Sequence, residues 1–295
     1  MTGLNIDPTR SRLLRLKYLM RVEHVIESLI EEIVGVDKGL TNNARKYRPA
    51  VNRIEPYMEW LTDKIDKKLV DRKWTNSLVA EGHKRGIMRG YGDLHGLPQS
   101  KPTPMQVGFL KGVAAKQGTL KNLQERAFTD LQGISTAMSD QIRRTLIEGV
   151  SKGLAQADIV SAIVDRVKKI GLTRAKTLVQ SEITRAHSEG VLDALEYAGV
   201  KEVGFNIEWT TTKNPCQLCA PLRGLVLTIA QARGLFPRHP RCMCSPMPSK
   251  LSTHKTRIQA KINKSVKEEI PKSLRSKRKS AKEQRKRSRW LGANR

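Results

Sequence analysis

The sequence is poor in aromatic residues, in acidic residues and in long apolar runs. Phe, Tyr and Trp make up only 4% of the 295 residues, so the core of a chain this long is expected to be helical and aliphatic. No run of about eighteen apolar residues occurs, which excludes an ordinary transmembrane helix. The opening MTGLNIDPTRSRLLRL has no apolar run after its basic residues, so we expect no signal peptide and synthesis in a reducing cytosol.

Common catalytic signatures are also absent from the sequence. It contains no P-loop, no Rossmann fingerprint, no Ser-His-Asp order and no HExxH motif. Without an HExxH motif, the sequence offers no general base for a catalytic zinc.

The scarcity of acidic residues leaves a large and uneven positive charge. The chain has 55 Lys and Arg against 28 Asp and Glu, a net charge of +27, and residues 250–295 alone contribute a surplus of 14. A tail of this density, helical or flexible, predicts nonspecific and salt-sensitive contact with double-stranded DNA or another polyanion.

Apolar periodicity predicts helices over most of the first 198 residues. We expect helices over residues 9–34 and 56–87, glycines that loosen the chain after residue 82, and a domain boundary near 97–105. Helical patterns resume over 106–150, and residues 154–198 suggest three short helices, the first ended by Gly171. A strand with Phe205, Ile207 and Trp209 on one side follows.

Three polar residues near the end of this helical region could form a catalytic group. Glu182, Arg185 and His187 lie on consecutive turns, but the simpler interpretation is an exposed polar helix face. The neighbouring segment KIGLTRAKTLVQ is likewise interpreted as a glycine-capped helix end, in preference to a helix-hairpin-helix.

All four cysteines fall within 29 residues, as C-x2-C at Cys216 and Cys219 and C-x-C at Cys242 and Cys244. His239 lies three residues before Cys242. A C-x2-C turn presents two thiolates to one ion, so the pattern predicts a structural zinc site with five candidate ligands for four positions. The sets to test are Cys216, Cys219 and Cys242 with either His239 or Cys244. Disulfides or unligated thiols are the alternatives.

Residues 177–245 resemble the phage Mu F-type head morphogenesis family, the minor capsid proteins of tailed phages. The resemblance depends on an ordered series: the helix LVQSEITRAHSEGVLDALEYAGV, a strand ending in Trp209, the C-x2-C pair, Leu222-Arg223-Gly224, and finally PRHPRCMC. It implies a non-enzymatic role in procapsid assembly near the portal and inside the virion head, with portal, coat or scaffold proteins as partners and the host cytoplasm as the place of assembly.

Together these patterns predict an α+β chain that is mostly α-helical. It would comprise a helical N-terminal region over residues 1–97, a small metal-stapled α+β domain over 106–249 and a basic C-terminal tail over 250–295. Two other functions fit parts of the pattern: a zinc-ribbon nucleic-acid-binding protein, and an ADP-ribosyltransferase-like toxin enzyme, which is supported by family analogy alone.

Overall fold

The computed structural model describes residues 7–37, 54–96, 104–116, 118–199 and 206–249. The chain is mostly helical and carries one small antiparallel sheet, which confirms the predicted fold class. The basic tail, residues 250–295, and Phe205 lie outside the described residues. None of the described helices is long and apolar enough to cross a membrane.

In the described part of the chain, six helices precede the sheet. They are α1 (Arg12–Asp37), α2 (Ile54–Leu69), α3 (Arg72–His95), α4 (Pro104–Lys116), α5 (Thr119–Ser151) and α6 (Gln156–Tyr197). The single helix expected over 56–87 is in fact two. Asp71 ends the first run and caps the second, because its carboxylate accepts a 2.8 Å hydrogen bond from the backbone N–H of Lys73.

One aliphatic core joins α1, α2, α3, α5 and α6. In α1 the buried side chains recur every three or four residues, from Leu14 through Tyr18 and Val22 to Ile33, as an amphipathic helix requires. The buried side of α5 repeats in the same way from Leu123 to Leu146. Helices on both sides of residues 97–105 therefore contribute to one core.

The glycines of α3 pack against α6 instead of loosening the chain, which corrects the sequence-based expectation. A Cβ atom at Gly86 would lie 2.0 Å from the carbonyl oxygen of His187, and one at Gly190 would lie 2.2 Å from that of His83. Gly82 and Gly90 face Ala186 and Ala194 in the same contact. The two backbones approach this closely only because these positions lack side chains.

The helix α6 is continuous for 42 residues, where three short helices were expected. Gly171 does not end a helix. It is buried inside α6, where an added Cβ would lie 2.5 Å from the side chain of Ile26 on α1. The glycine makes room for the crossing helix α1, and this packing outweighs the tendency of glycine to end a helix.

The sheet has the order β2–β1–β3, with β1 (Asn206–Thr210) in the centre, β2 (Val226–Leu227) and β3 (Ser245–Ser249). Both neighbours pair antiparallel to β1, with Ile207 opposite Leu227 and Trp209 opposite Pro246. Ile207 and Trp209 are buried, as the alternation predicted. A short helix, α7 (Ile229–Ala232), follows β2, and the cysteine loops lie between these strands.

Candidate metal centre

The C-x2-C pair lies on a tight turn between β1 and β2. The backbone N–H groups of Cys219 and Ala220 both donate to the carbonyl oxygen of Cys216, at 3.0 and 2.9 Å. This turn brings the two thiols together, with Cys216 exposed and Cys219 buried. The turn therefore places both thiols where they could bind one ion, as the C-x2-C spacing predicted.

His239 reaches the same turn from the loop before β3. Its Nε2 atom lies 3.1 Å from Cys216 Sγ and 3.2 Å from Cys219 Sγ. Its Nδ1 atom lies 2.8 Å from the carbonyl oxygen of Pro240. Because a carbonyl oxygen can only accept, Nδ1 carries the proton and the Nε2 lone pair faces the thiols. Metal-bound histidines are oriented by a second hydrogen bond of this kind.

Cys242 and Cys244 approach the turn on its buried side. Cys219 Sγ lies 3.8 Å from Cys242 Sγ, and Cys219, Cys242 and Cys244 form a second group of donors that shares Cys219 with the first. All four cysteines are free thiols, and 3.8 Å is far beyond the S–S bond length of about 2.05 Å. The structure thus brings all five predicted donors into one cluster that can hold a metal ion.

Hydrogen bonds within the cluster favour a thiolate at Cys242. Contacts with the thiols of Cys219 and Cys244, together with the backbone N–H groups of Cys244 and Arg238, lower the pKa of the Cys242 thiol. The same contact with Cys242 raises the pKa of Cys219. These contacts favour the thiolate of Cys242, and thiolate is the form that binds metals.

The loop that carries His239 and Cys242 is held on α6 by a row of polar side chains. Arg241 has a left-handed backbone with φ of 62°, which is uncommon for a residue with a side chain. Its backbone N–H donates to Ser181, its carbonyl oxygen accepts from Gln180, and its guanidinium donates to Thr177. These contacts hold the unusual conformation in place.

Thr184 continues this row and donates a 2.9 Å hydrogen bond to the carbonyl oxygen of Cys242. Thr177, Ser181 and Thr184 follow one another at intervals of four and three residues, so they lie on one side of α6. Sequence reasoning missed this role, although the hydroxyl spacing in the sequence could have indicated a polar contact face.

The opposite side of the cluster is packed by aromatic and basic side chains. Trp209 stacks on Phe236 with ring centroids 4.1 Å apart, and both rings are buried. Arg223 donates to Thr211 Oγ1 and to the carbonyl oxygens of Thr212 and Lys213, at 2.6 to 2.9 Å. Arg223 therefore holds the segment that leads into Cys216.

A buried ionic network joins the segment after α7 to α6. The Arg233 guanidinium lies 2.8 Å from the carboxylate of Asp193 and 3.0 Å from that of Glu189. His83 Nε2 lies 2.9 Å from the second oxygen of Asp193, whose side chain is fully buried. The helical bundle and the segment after α7 are thus joined through charged side chains that the sequence patterns did not indicate.

Two of the three polar residues expected on an exposed face of α6 are buried and Arg185 is half-buried, which corrects that interpretation. Glu182 is 3% and His187 is 1% exposed. Burial raises the pKa of Glu182, partly offset by Arg185 at 3.2 Å, and burial lowers the pKa of His187 to about 3. The interpretation failed because the second half of α6 is covered by other elements, so Glu182 and His187 have no solvent-facing side to occupy.

Comparison of the chain with protein-family models, with curated proteins and with solved structures finds no match.

Proposed function

We propose that the cluster holds one structural zinc ion, with Cys216, Cys219, His239 and Cys242 as its ligands. Thiolate and imidazole donors in a tetrahedral set are typical of zinc. Zn–S bonds of about 2.3 Å place two sulfurs of such a tetrahedron about 3.8 Å apart. The observation that carries the proposal is His239 Nε2, which lies within 3.2 Å of both thiols of the C-x2-C turn and has its Nδ1 proton bound elsewhere.

His239 is preferred to Cys244 as the fourth ligand on the same geometry. His239 lies in a group with both Cys216 and Cys219, whereas Cys244 groups with Cys219 and Cys242 on the buried side. Cys244 also lies directly before β3, which starts at Ser245 and pairs with β1.

The role of such an ion is to join the C-x2-C turn before β2 to the loop before β3 that carries His239 and Cys242. The two segments are far apart along the chain, because 22 residues lie between Cys219 and Cys242. Closing that loop through a metal reduces the freedom of the unfolded chain, and binding energy becomes folding energy. Four protein ligands leave no open position for a substrate or an activated water.

We further propose that the whole chain is a minor head protein of a tailed phage. In this role it would act in procapsid assembly near the portal, inside the head, and contact packaged DNA nonspecifically through residues 250–295. Support comes from the segments that carry the resemblance, since α6, Trp209, the C-x2-C turn, Arg223 and the HPRCMC loop meet around one centre.

Metal analysis of the purified chain tests the zinc proposal. We expect about one zinc per chain, lost in Cys242→Ser and in His239→Ala but retained in Cys244→Ser. Cobalt replacement provides an independent measurement, because the thiolate-to-cobalt charge-transfer band of the native chain should match three thiolates and stay unchanged in Cys244→Ser. Zinc loss in Cys244→Ser with retention in His239→Ala would replace the ligand set, and a metal-free native chain would overturn the site.

The phage role is tested by assembly. Co-expression with the portal, coat and scaffold proteins of the same genome should yield procapsids that contain this chain, and procapsids made without the portal should contain less of it. Equal incorporation with and without the portal would contradict the portal association. Removal of residues 250–295 should weaken DNA binding and reduce its salt dependence, and an unchanged salt dependence would exclude the tail from DNA contact.

A further inference from the structure

One surface of the described chain concentrates positive charge outside the tail. A groove of about 770 Å³ runs along the first half of α6 and ends at Arg241, on the loop that carries His239 and Cys242, called here the metal loop. Among the described residues, five cationic side chains and a single acidic one, Asp165, line it; the cations are Arg166, Lys168, Lys169, Lys176 and Arg241. The apolar residues in this described lining are Ala162 and Leu172.

A second groove of about 590 Å³ adjoins the first, because Thr173 lines both. It adds Arg174 and Arg238, which are not compensated by its acids. Asp130 is paired with Arg126, and Glu182 is paired with Arg185. The two grooves therefore share one continuous positive face, called here the basic face: Arg166, Lys168, Lys169, Arg174, Lys176, Arg238 and Arg241.

Most cations of the basic face have their charge available for a partner. Lys176 pairs with Glu23, but within the described part of the chain the other six form no ion pair. Arg166, Lys168, Lys169 and Arg174 are exposed on a rigid helix. Arg241 is held over α6 by its hydrogen bonds to Thr177 and to the carbonyl oxygen of Thr173.

We propose that the basic face binds the phosphate backbone of double-stranded DNA, as a site separate from residues 250–295. Arg166 and Arg174 are eight residues apart, which corresponds to about 12 Å along the helix axis and to the rise of three to four base pairs. Protein–DNA interfaces are strongly positive, as this face is. We assign no base-reading element to the face, so we expect the binding to be independent of the DNA sequence.

This site goes beyond the proposed function, since it needs neither the phage role nor the tail. Six cations that each neutralise one phosphate give a slope of about −5 in a plot of log K against log salt. We expect a quadruple variant of the full chain to bind a mixed-sequence duplex with a slope whose magnitude is smaller by about 3 to 4. Its changes are Arg166→Gln, Lys168→Gln, Lys169→Gln and Arg174→Gln. Two double variants, one for each half of the face, should each lose about half as much.

A charge-matched control comes from four exposed lysines elsewhere: Lys73, Lys84, Lys111 and Lys121, all changed to Gln. It alters the net charge equally, and we expect its slope to stay within about 1 of the native value. Equal losses in the two quadruple variants, or loss of binding only when residues 250–295 are removed, would overturn the site. Poly-glutamate that competes with DNA charge for charge at the basic face would assign it to acidic polypeptides instead. An unchanged salt slope on deletion of residues 250–295 would contradict the role of the tail but not the DNA site on the basic face.

Discussion

Replacing Gly86 with alanine is the sharpest test of how α3 and α6 are joined. The added Cβ would lie 2.0 Å from the carbonyl oxygen of His187 and 2.8 Å from its carbonyl carbon, and ordinary contact begins at 3.4 Å. Both partners are backbone atoms of a continuous helix, so no side chain can rotate away. The helices must instead separate locally by about 1.4 Å, the difference between 3.4 and 2.0 Å.

The cost follows from what this separation opens. Overpacking a core costs about 1 to 3 kcal/mol, and a gap of about 1 Å loses up to half of the dispersion energy of each contact. The hydrogen bond between His83 and Asp193, one turn away, would also lengthen from 2.9 Å. Alanine returns about 1 kcal/mol of helix propensity. We therefore expect Gly86→Ala to lower the free energy of unfolding by about 2 to 4 kcal/mol.

The matched control is Gly133→Ala in α5. Gly133 is exposed, lies in mid-helix and has nothing within 4 Å of the position of an added Cβ. The same chemical change should here raise the free energy of unfolding by about 1 kcal/mol. Urea unfolding of the full chain, followed by far-ultraviolet circular dichroism, measures both. Equal midpoints for the two variants would refute the backbone contact between α3 and α6.

Two further changes probe the buried charges. Arg233→Ala should lower the free energy of unfolding by about 3 to 5 kcal/mol because it leaves the carboxylate of Asp193 buried with less compensation. Arg143→Ala, which breaks an exposed pair with Glu55, should leave the free energy of unfolding nearly unchanged in the same urea experiment. The pKa of His187 is lowered to about 3 in the folded chain, so its contribution to stability is complete above pH 6.5 and lost as pH falls from there toward 3. Between pH 6.5 and 5 the native chain should therefore lose about 1.4 kcal/mol per pH unit more than His187→Gln, and parallel pH profiles would contradict the burial of a neutral imidazole.

The helices were predictable because their signal is periodic. The buried row of α1 from Leu14 to Ile33 recurs at helical spacing, and that spacing alone indicates one apolar side. The glycines misled for an equally physical reason. Gly86 and Gly171 have poor helix propensity, but each lies where another helix leaves no room for a side chain, and packing outweighs about 1 kcal/mol of propensity.

The candidate metal centre was predictable as a set of donors but not as a geometry. The clustering of Cys216, Cys219, Cys242 and His239 in the sequence points to ligation without any structure. That His239 faces both thiols of the turn depends on a loop held by Arg241, whose left-handed backbone no spacing rule announces. The buried pair of Asp193 and Arg233 carried no signal at all, because the two residues lie 40 positions apart in unrelated patterns.

The sequence by itself determined the mostly helical class, the five metal donors and the concentration of charge in residues 250–295. These follow from composition, periodicity and short spacings, which are properties of neighbouring residues. Tertiary structure decided that Glu182 and His187 are buried, that α6 is continuous, and that α6 and the metal loop share a positive face. Burial and surface charge depend on which elements cover one another, and that is set by segments far apart in the chain.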